Sequence, residues 1–288
     1  MKNKVVLKNG DSLPPLGIGT WKIGDEPRAE EAEIQAILTG IREGMTLIDT
    51  AEMYGDGRSE RLVGKVIAQY TKNGARDDLY IVSKVLPWNA GKKKIRHSCE
   101  NSLKRLGLDY VDLYLYHWIG SVPLPEVVDG LNQLQKDGLI RGWGVSNFDT
   151  DDIKELLSIN GGEQCLVNQN LYNIGSRGIE YDLIDLMNNN NIALMSYCPL
   201  AQGGQQCKEL RENSVIVDIA NKHSATPTQI ILAWNIRNGH TVAIPKSSSP
   251  AHTVENAASV NIKLTADDLQ ELDKAFPPPL YKQPLDTE

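Results

Sequence analysis

The sequence predicts an α/β fold of the TIM type: a closed (β/α)8 barrel with an N-terminal β-hairpin and extra helices near strands 7–8 and the C-terminus. Two observations carry this. Short apolar runs recur along the chain, and an amphipathic helical stretch follows most of them before the next run begins. A strand returning parallel to its predecessor needs such a crossover, so the alternation means a parallel sheet. Nearly every run also stops on a polar residue able to do chemistry. Thr46-Leu47-Ile48 stops at Asp49, 79–83 at Lys84, 111–116 at His117, and Trp143-Gly144-Val145 at Ser146-Asn147. Leu166-Val167-Asn168 stops at Gln169, 193–196 at Tyr197, and 242–245 at Lys246. In a parallel barrel these ends rise on one rim, where active sites are built.

The elements follow in order. Val5 to Lys8, then Asn9-Gly10, then Asp11-Ser12-Leu13 predicts a hairpin, with Asn-Gly supplying the positive φ angles of a primed turn. Leu16 to Thr20 is the first barrel strand. The segment 27–43 then places Ala29, Ala32, Ala36, Ile37 and Ile41 at roughly helical spacing. Further helices are expected near 59–70, 92–106, 124–137, 150–158 and 180–189. Thr226-Pro227 is an N-cap followed by proline at the first helical position, so an extra helix is expected at 227–237, between strands seven and eight. Thr265 caps a last helix ending near Phe276, and Pro277-Pro278-Pro279 stops it. With the strand at 241–244 there are eight strand–helix units, which suit a closed barrel, and residues 1–288 are expected to form a single domain.

Bulk composition narrows the function. The 288 residues are 41% hydrophobic and 23% charged, with a net charge of −7, which argues against general affinity for nucleic acid or an anionic membrane. An anionic ligand therefore needs a local basic site. Cys99, Cys165, Cys198 and Cys207 show no CxxC pair and no metal-like spacing with histidine, so no metal is expected and the thiols are expected to be buried or idle. Met1 to Val6 lacks the apolar core of a secretory leader, and no stretch approaches the ~20 apolar residues of a membrane span. A cytoplasmic location is expected.

Asp49, Tyr54, Lys84 and His117 fall at the ends of strands two, three and four, or in the loop above. An unperturbed phenol titrates near pH ~10, too high for an efficient acid at neutral pH. An ammonium beside it favours phenolate, and a carboxylate holds that ammonium charged and aimed. An imidazole nearby can donate to a carbonyl oxygen. The four together can protonate an alkoxide as it forms.

On these residues the chain resembles the aldo-keto reductases. Ile48-Asp49-Thr50-Ala51-Glu52-Met53-Tyr54-Gly55, Val82-Ser83-Lys84 and Asp112 to Trp118 are similar to that family's catalytic segments. Gly144-Val145-Ser146-Asn147-Phe148 and Ile244-Pro245-Lys246-Ser247 are similar to two further signatures, and the resemblance covers nearly the whole chain. Within the family it most resembles bacterial reductases of small aldehydes such as methylglyoxal, through Ala51 to Tyr54, Pro87 to Gly91 and Gly175 to Asp182.

The resemblance implies Tyr54 as the acid, Lys84 as its tuner, Asp49 as the lysine's partner and His117 as the group orienting the carbonyl. It implies NADPH as hydride donor, bound without a G-x-G-x-x-G fingerprint. Ser146, Asn147 and Gln169 would hold the carboxamide and Tyr197 would stack on the nicotinamide. Pro199, Leu200, Gln202 and Gly203 would follow the pyrophosphate. Thr20, Trp21, Asp49, Ile244 and Pro245 would complete the contacts. Lys246, Ser247 and Ser248, ahead of a helix opening at Pro250, make an anion site for the 2′-phosphate, and Glu255 and Asn256 match adenine contacts. His252 departs from the family's arginine. It lacks the fork of a guanidinium, so NADH is expected to compete better than usual.

Trp21, Trp88 and Trp118 follow strand ends and are expected to wall a substrate pocket with Tyr54 and His117. The short tail is expected to leave that pocket open to small carbonyl compounds, and the family resemblance implies a monomer. Two other functions fit some of these residues: a Schiff-base aldolase using Lys84, and a cofactor-binding sensor or structural subunit with little turnover.

Overall fold

The computed structural model describes residues 4–287; the reading of Met1, Lys2 and Asn3 as an N-terminus without a leader lies outside them. A hairpin of β1 (Val5–Val6) and β2 (Ser12–Leu13) opens the chain. Eight parallel strands follow: β3 (Ile18–Gly19), β4 (Leu47–Asp49), β5 (Tyr80–Val85), β6 (Val111–Tyr116), β7 (Ile140–Ser146), β8 (Val167–Leu171), β9 (Ala193–Tyr197) and β10 (Thr241–Ala243). They pair in sequence order. The seam between β3 and β10 closes through Gly17 N–H to Ala243 O at 2.8 Å and Gly19 N–H to Pro245 O at 3.1 Å, so the sheet is a barrel.

The intervening helices are α1 (Glu30–Arg42), α2 (Arg58–Tyr70), α3 (Ile95–Leu106), α4 (Leu124–Lys136), α5 (Thr150–Ser158) and α6 (Leu183–Asn189). After β9 come α7 (Gly204–Glu212), α8 (Ser214–Lys222) and α9 (Pro227–Asn235), and after β10 come α10 (Pro250–Ala258) and α11 (Ala266–Ala275). Thr226 and Thr265 cap α9 and α11 as the sequence predicts, each in a capping box. Where the sequence predicts one extra helix between strands seven and eight, the chain builds three: α7 and α8 precede the expected α9.

Two apolar layers alternate along the strands, as the period of two requires. Leu47, Val82, Leu113, Leu115, Val167, Met195 and Val242 fill the barrel, and Val5, Leu7 and Leu13 of the hairpin pack with them. Ile48, Ile81, Tyr114 and Tyr116 belong to the second layer, against the helices. The hairpin turn differs from its expectation. Gly10 has φ 94° while Asn9 is not left-handed, and Leu7 N–H donates to Asp11 O at 2.8 Å. That is a three-residue loop with glycine in the left-handed position, because only Gly10 needs the conformation that lacks a Cβ penalty.

Parity now places the polar strand ends. Asp49 lies two residues beyond Leu47 and Lys84 two beyond Val82, so both share the inward face of the barrel with those apolar residues. No helix among the described residues is long and apolar enough to cross a membrane.

Candidate active site

Lys84 is fully buried, and its ammonium donates to three acceptors: Asp49 Oδ2 at 2.7 Å, Thr50 O at 3.0 Å and the Tyr54 hydroxyl at 2.9 Å. It lies 4.6 Å from the centroid of the Tyr54 ring. Burial pushes the Asp49 carboxyl up and the Lys84 ammonium down, while the attraction between them opposes both shifts. A lysine whose three N–H groups are all engaged has no lone pair or free approach for a carbonyl carbon, which disfavours the aldolase reading.

Tyr54 opens a 3-10 turn, Tyr54–Gly57, directly above β4. Its ring meets Trp21 edge-on at 5.0 Å and His117 at 6.0 Å, and His117 in turn lies 4.7 Å from Trp118. His117 follows β6, fixed by its N–H to Val85 O at 3.1 Å and by Asn147 Nδ2, which donates to His117 O at 3.1 Å. Burial, reinforced by the Lys84 charge, holds the imidazole well below its ordinary pKa, so it is neutral at physiological pH. Its Nδ1 is buried without a hydrogen-bond partner.

Around this group lies a cavity of about 480 Å³. Its walls include Trp21, Asp49, Tyr54, His117 and Trp118, and also Thr20, Ser146, Asn147, Gln169, Tyr197, Pro199, Leu200, Gln202, Gly203, Ile244, Pro245 and Lys246. A neighbouring cavity of about 240 Å³ shares Leu200 and Lys246 and gathers Ser247, Ser248, His252, Glu255 and Asn256. The structure thus brings the predicted site residues onto two adjoining cavities, except Lys84, which lies buried against the Tyr54 hydroxyl, and Trp88. Trp88 lines neither: it is 58% exposed and touches the site only through Trp118, at 6.0 Å between rings. Among the described residues none of the tail lines the larger cavity; Lys282 ties the tail aside, donating to Asp149 Oδ1 at 2.5 Å and Asp182 Oδ1 at 2.8 Å.

Residues 15–276 match the family model described as Aldo/keto reductase family. The chain belongs to the aldo/keto reductase family. Methylglyoxal reductase YeaE of Escherichia coli (strain K12) is 45% identical over 287 residues, covering 99% of either chain. Glyoxal reductase of Bacillus subtilis (strain 168) is 36% identical, covering 95% of this chain and 92% of its own. A crystal structure of an aldo-keto reductase from Klebsiella pneumoniae in complex with NADPH has TM-score 0.95 at 44% identity, with 100% of both chains covered. A crystal structure of aldo/keto reductase from the same organism with NADP and acetate has TM-score 0.96.

This aldo/keto reductase also uses residues that the sequence did not reveal. Ser59 Oγ donates at 2.7 Å to Oγ1 of Thr20, a predicted contact whose hydroxyl donates to Asp49 O at 2.8 Å. Glu60, wholly buried, accepts from Ser83 Oγ at 2.6 Å and from Arg105 Nε at 2.5 Å, and its charge supports the Lys84 ammonium. The signal for Glu60 was present: it shares a helix face with Val63 and Ile67, three and seven positions on, and a charge in an apolar stripe needs a partner. Arg211 and Thr228 line the smaller cavity and were not singled out either. Burial pushes the Cys99 and Cys165 thiols up to about 12, while Cys198 and Cys207 are half-buried on the larger cavity's wall.

Proposed function

We propose that this enzyme reduces small aldehydes and α-dicarbonyls such as methylglyoxal to alcohols, with NADPH as co-substrate and Tyr54 as general acid. The observation that carries the reading is the Tyr54 hydroxyl, 2.9 Å from a buried ammonium and facing a cavity. The donor sets of the two cavities fit such a cofactor. Tyr197 offers a flat ring beside the amides of Asn147 and Gln169. Lys246 and two serines sit ahead of α10, whose N-cap Ser249 makes no side-chain cap, leaving N–H groups for an anion.

NADPH, held by residues such as Asn147, Gln169, Tyr197 and Lys246, would supply a hydride for the carbonyl carbon. Tyr54 gives its hydroxyl proton to the carbonyl oxygen, and the Lys84 ammonium stabilises the phenolate until solvent returns the proton. Neutral His117 donates a hydrogen bond to the same oxygen and fixes its position. Trp21 and Trp118 flank the site and exclude water without adding charge, which favours small, weakly charged substrates. The same reading takes residues 1–288 as one domain acting as a cytoplasmic monomer, and elution at the mass of a monomer checks the oligomeric part.

Mixing enzyme, NADPH and a panel of aldehydes, α-dicarbonyls and sugars, and following cofactor absorbance, tests the proposal. Tyr54→Phe is expected to lose about 10²–10⁴-fold in turnover while still binding NADPH. No aldehyde-dependent oxidation by wild type, or full rate in Tyr54→Phe, overturns it. Tight NADPH binding without turnover on any carbonyl supports the sensor instead.

A further inference from the structure

We propose that Arg211 is the residue that selects the 2′-phosphate of NADPH, taking the part that His252 cannot. The inference rests on the cofactor reading above and assigns its specificity to a helix the sequence did not reveal.

NADPH and NADH differ only in that phosphate, and a chain of net charge −7 cannot prefer the more anionic ligand through its overall field. Discrimination must come from local cations. Lys246, ahead of α10, and His252 within it line the smaller cavity, and Arg211 of α7 lines the same cavity. The glycines 203 and 204, at φ 92° and 60°, turn the chain from the loop after β9 into α7, which sets that approach.

The side chain is aimed but not consumed. Arg211 Nε donates to Cys207 O at 3.3 Å, one turn back on its own helix. Among the described residues its guanidinium makes no ion pair and no other hydrogen bond, so the two terminal nitrogens keep their donors. The carboxylates nearby have other partners. Glu209 accepts from Gln205 at 2.8 Å, Glu212 pairs with Lys208 at 3.9 Å, and Glu255, which lines the cavity, accepts from Thr226 Oγ1 at 2.6 Å. An uncommitted guanidinium fork lining one cavity with two serines and a lysine is matched to a phosphate, whose oxygens accept two parallel N–H groups. Imidazole offers no such fork.

Direct binding tests this without turnover. Dissociation constants for NADPH and NADH are measured by tryptophan quenching for wild type, Arg211→Ala, Arg211→Gln and the double variant Arg211→Ala/His252→Arg. Charge-assisted hydrogen bonds of this kind set the scale, so Arg211→Ala and Arg211→Gln are expected to weaken NADPH binding about tenfold to hundredfold. NADH binding should stay within about twofold, and the added arginine at 252 should restore part of the NADPH affinity. Unchanged NADPH affinity in both single variants, or an equal loss for NADH, overturns the assignment. If wild type does not bind NADPH more tightly than NADH, the cofactor reading itself fails; if it does and Arg211→Gln is indifferent, only the role of Arg211 fails.

Discussion

Gln169 Nε2 donates to Asp49 Oδ1 at 2.8 Å, joining β8 to β4 across the barrel mouth and across 120 positions of sequence. The other carboxylate oxygen of Asp49 accepts from Lys84, so one side chain is gripped by both halves of the site. A second link runs from Asn147 Nδ2 to His117 O, and Asn147 Oδ1 accepts from the Tyr197 hydroxyl at 2.8 Å. The residues read as proton machinery and those read as cofactor cradle therefore form one hydrogen-bonded network, and a change in one half should be felt in the other.

The Asp49–Lys84 pair gives the sharpest energetic test. Asp49→Asn leaves a fully buried ammonium without its hydrogen-bonded carboxylate, which costs about 3–5 kcal/mol. Lys84→Met alone leaves the carboxylate stranded at similar cost. The double variant strands neither, so its loss should be well below the sum of the two singles. Urea unfolding of the four proteins measures this, and additive losses would show that the pair is not coupled.

Barrel closure depends on Gly19. A Cβ there would stand 2.6 Å from the carbonyl oxygen of Ile244, a backbone atom held in the closing seam. At Gly17 the tightest contact, also 2.6 Å, is with the Leu47 side chain, which can rotate. Gly19→Ala should therefore destabilise by about 1–3 kcal/mol and exceed Gly17→Ala. It should also weaken NADPH binding, because the shifted seam carries Lys246. Equal stability of the two variants in thermal melts argues against this account.

Much of this was legible because the strands are buried on both faces. Runs such as Leu113 to Tyr116 read as apolar segments, and each run led straight to a predicted site residue. Helix α7 was not legible, since Leu210 is its only buried residue and no apolar period marks it. Helix α8 is crowded with the β-branched Val215, Ile216, Val217 and Ile219, which do not announce a helix. The Gln169–Asp49 bond and the place of Arg211 arise from barrel closure and from α7, and no local pattern encodes either. Trp88 follows a strand end like Trp118, yet the turn Pro87–Asn89 carries it outward.

Acid stability should report on Asp268. Burial raises its pKa, but His223 Nε2 at 2.7 Å and the N–H and hydroxyl of Thr265 outweigh that and bring the carboxyl down to about 2. Its pKa is lower folded than unfolded, so its stabilisation is complete above pH ~4 and is lost as pH falls toward 2. Asp268→Asn should be less stable than wild type at pH 7, and the gap should narrow below pH ~4 and close near pH 2. A gap independent of pH would mean that the charge is not what stabilises the last helix.

His117 predicts a second, separate window. Its folded pKa lies well below the ordinary 6.5 because burial, and then the Lys84 charge, oppose protonation. Below pH ~6.5 the unfolded chain takes up a proton that the native imidazole refuses, so stability falls as pH drops from there toward the folded pKa. One proton corresponds to a slope of at most about 1.4 kcal/mol per pH unit. In His117→Gln that contribution vanishes, so its stability between pH 5 and 6.5 should fall less steeply than that of wild type. Urea midpoints across this range measure the difference. Superimposable slopes would place the imidazole in a more solvated setting than the one between Tyr54 and Trp118.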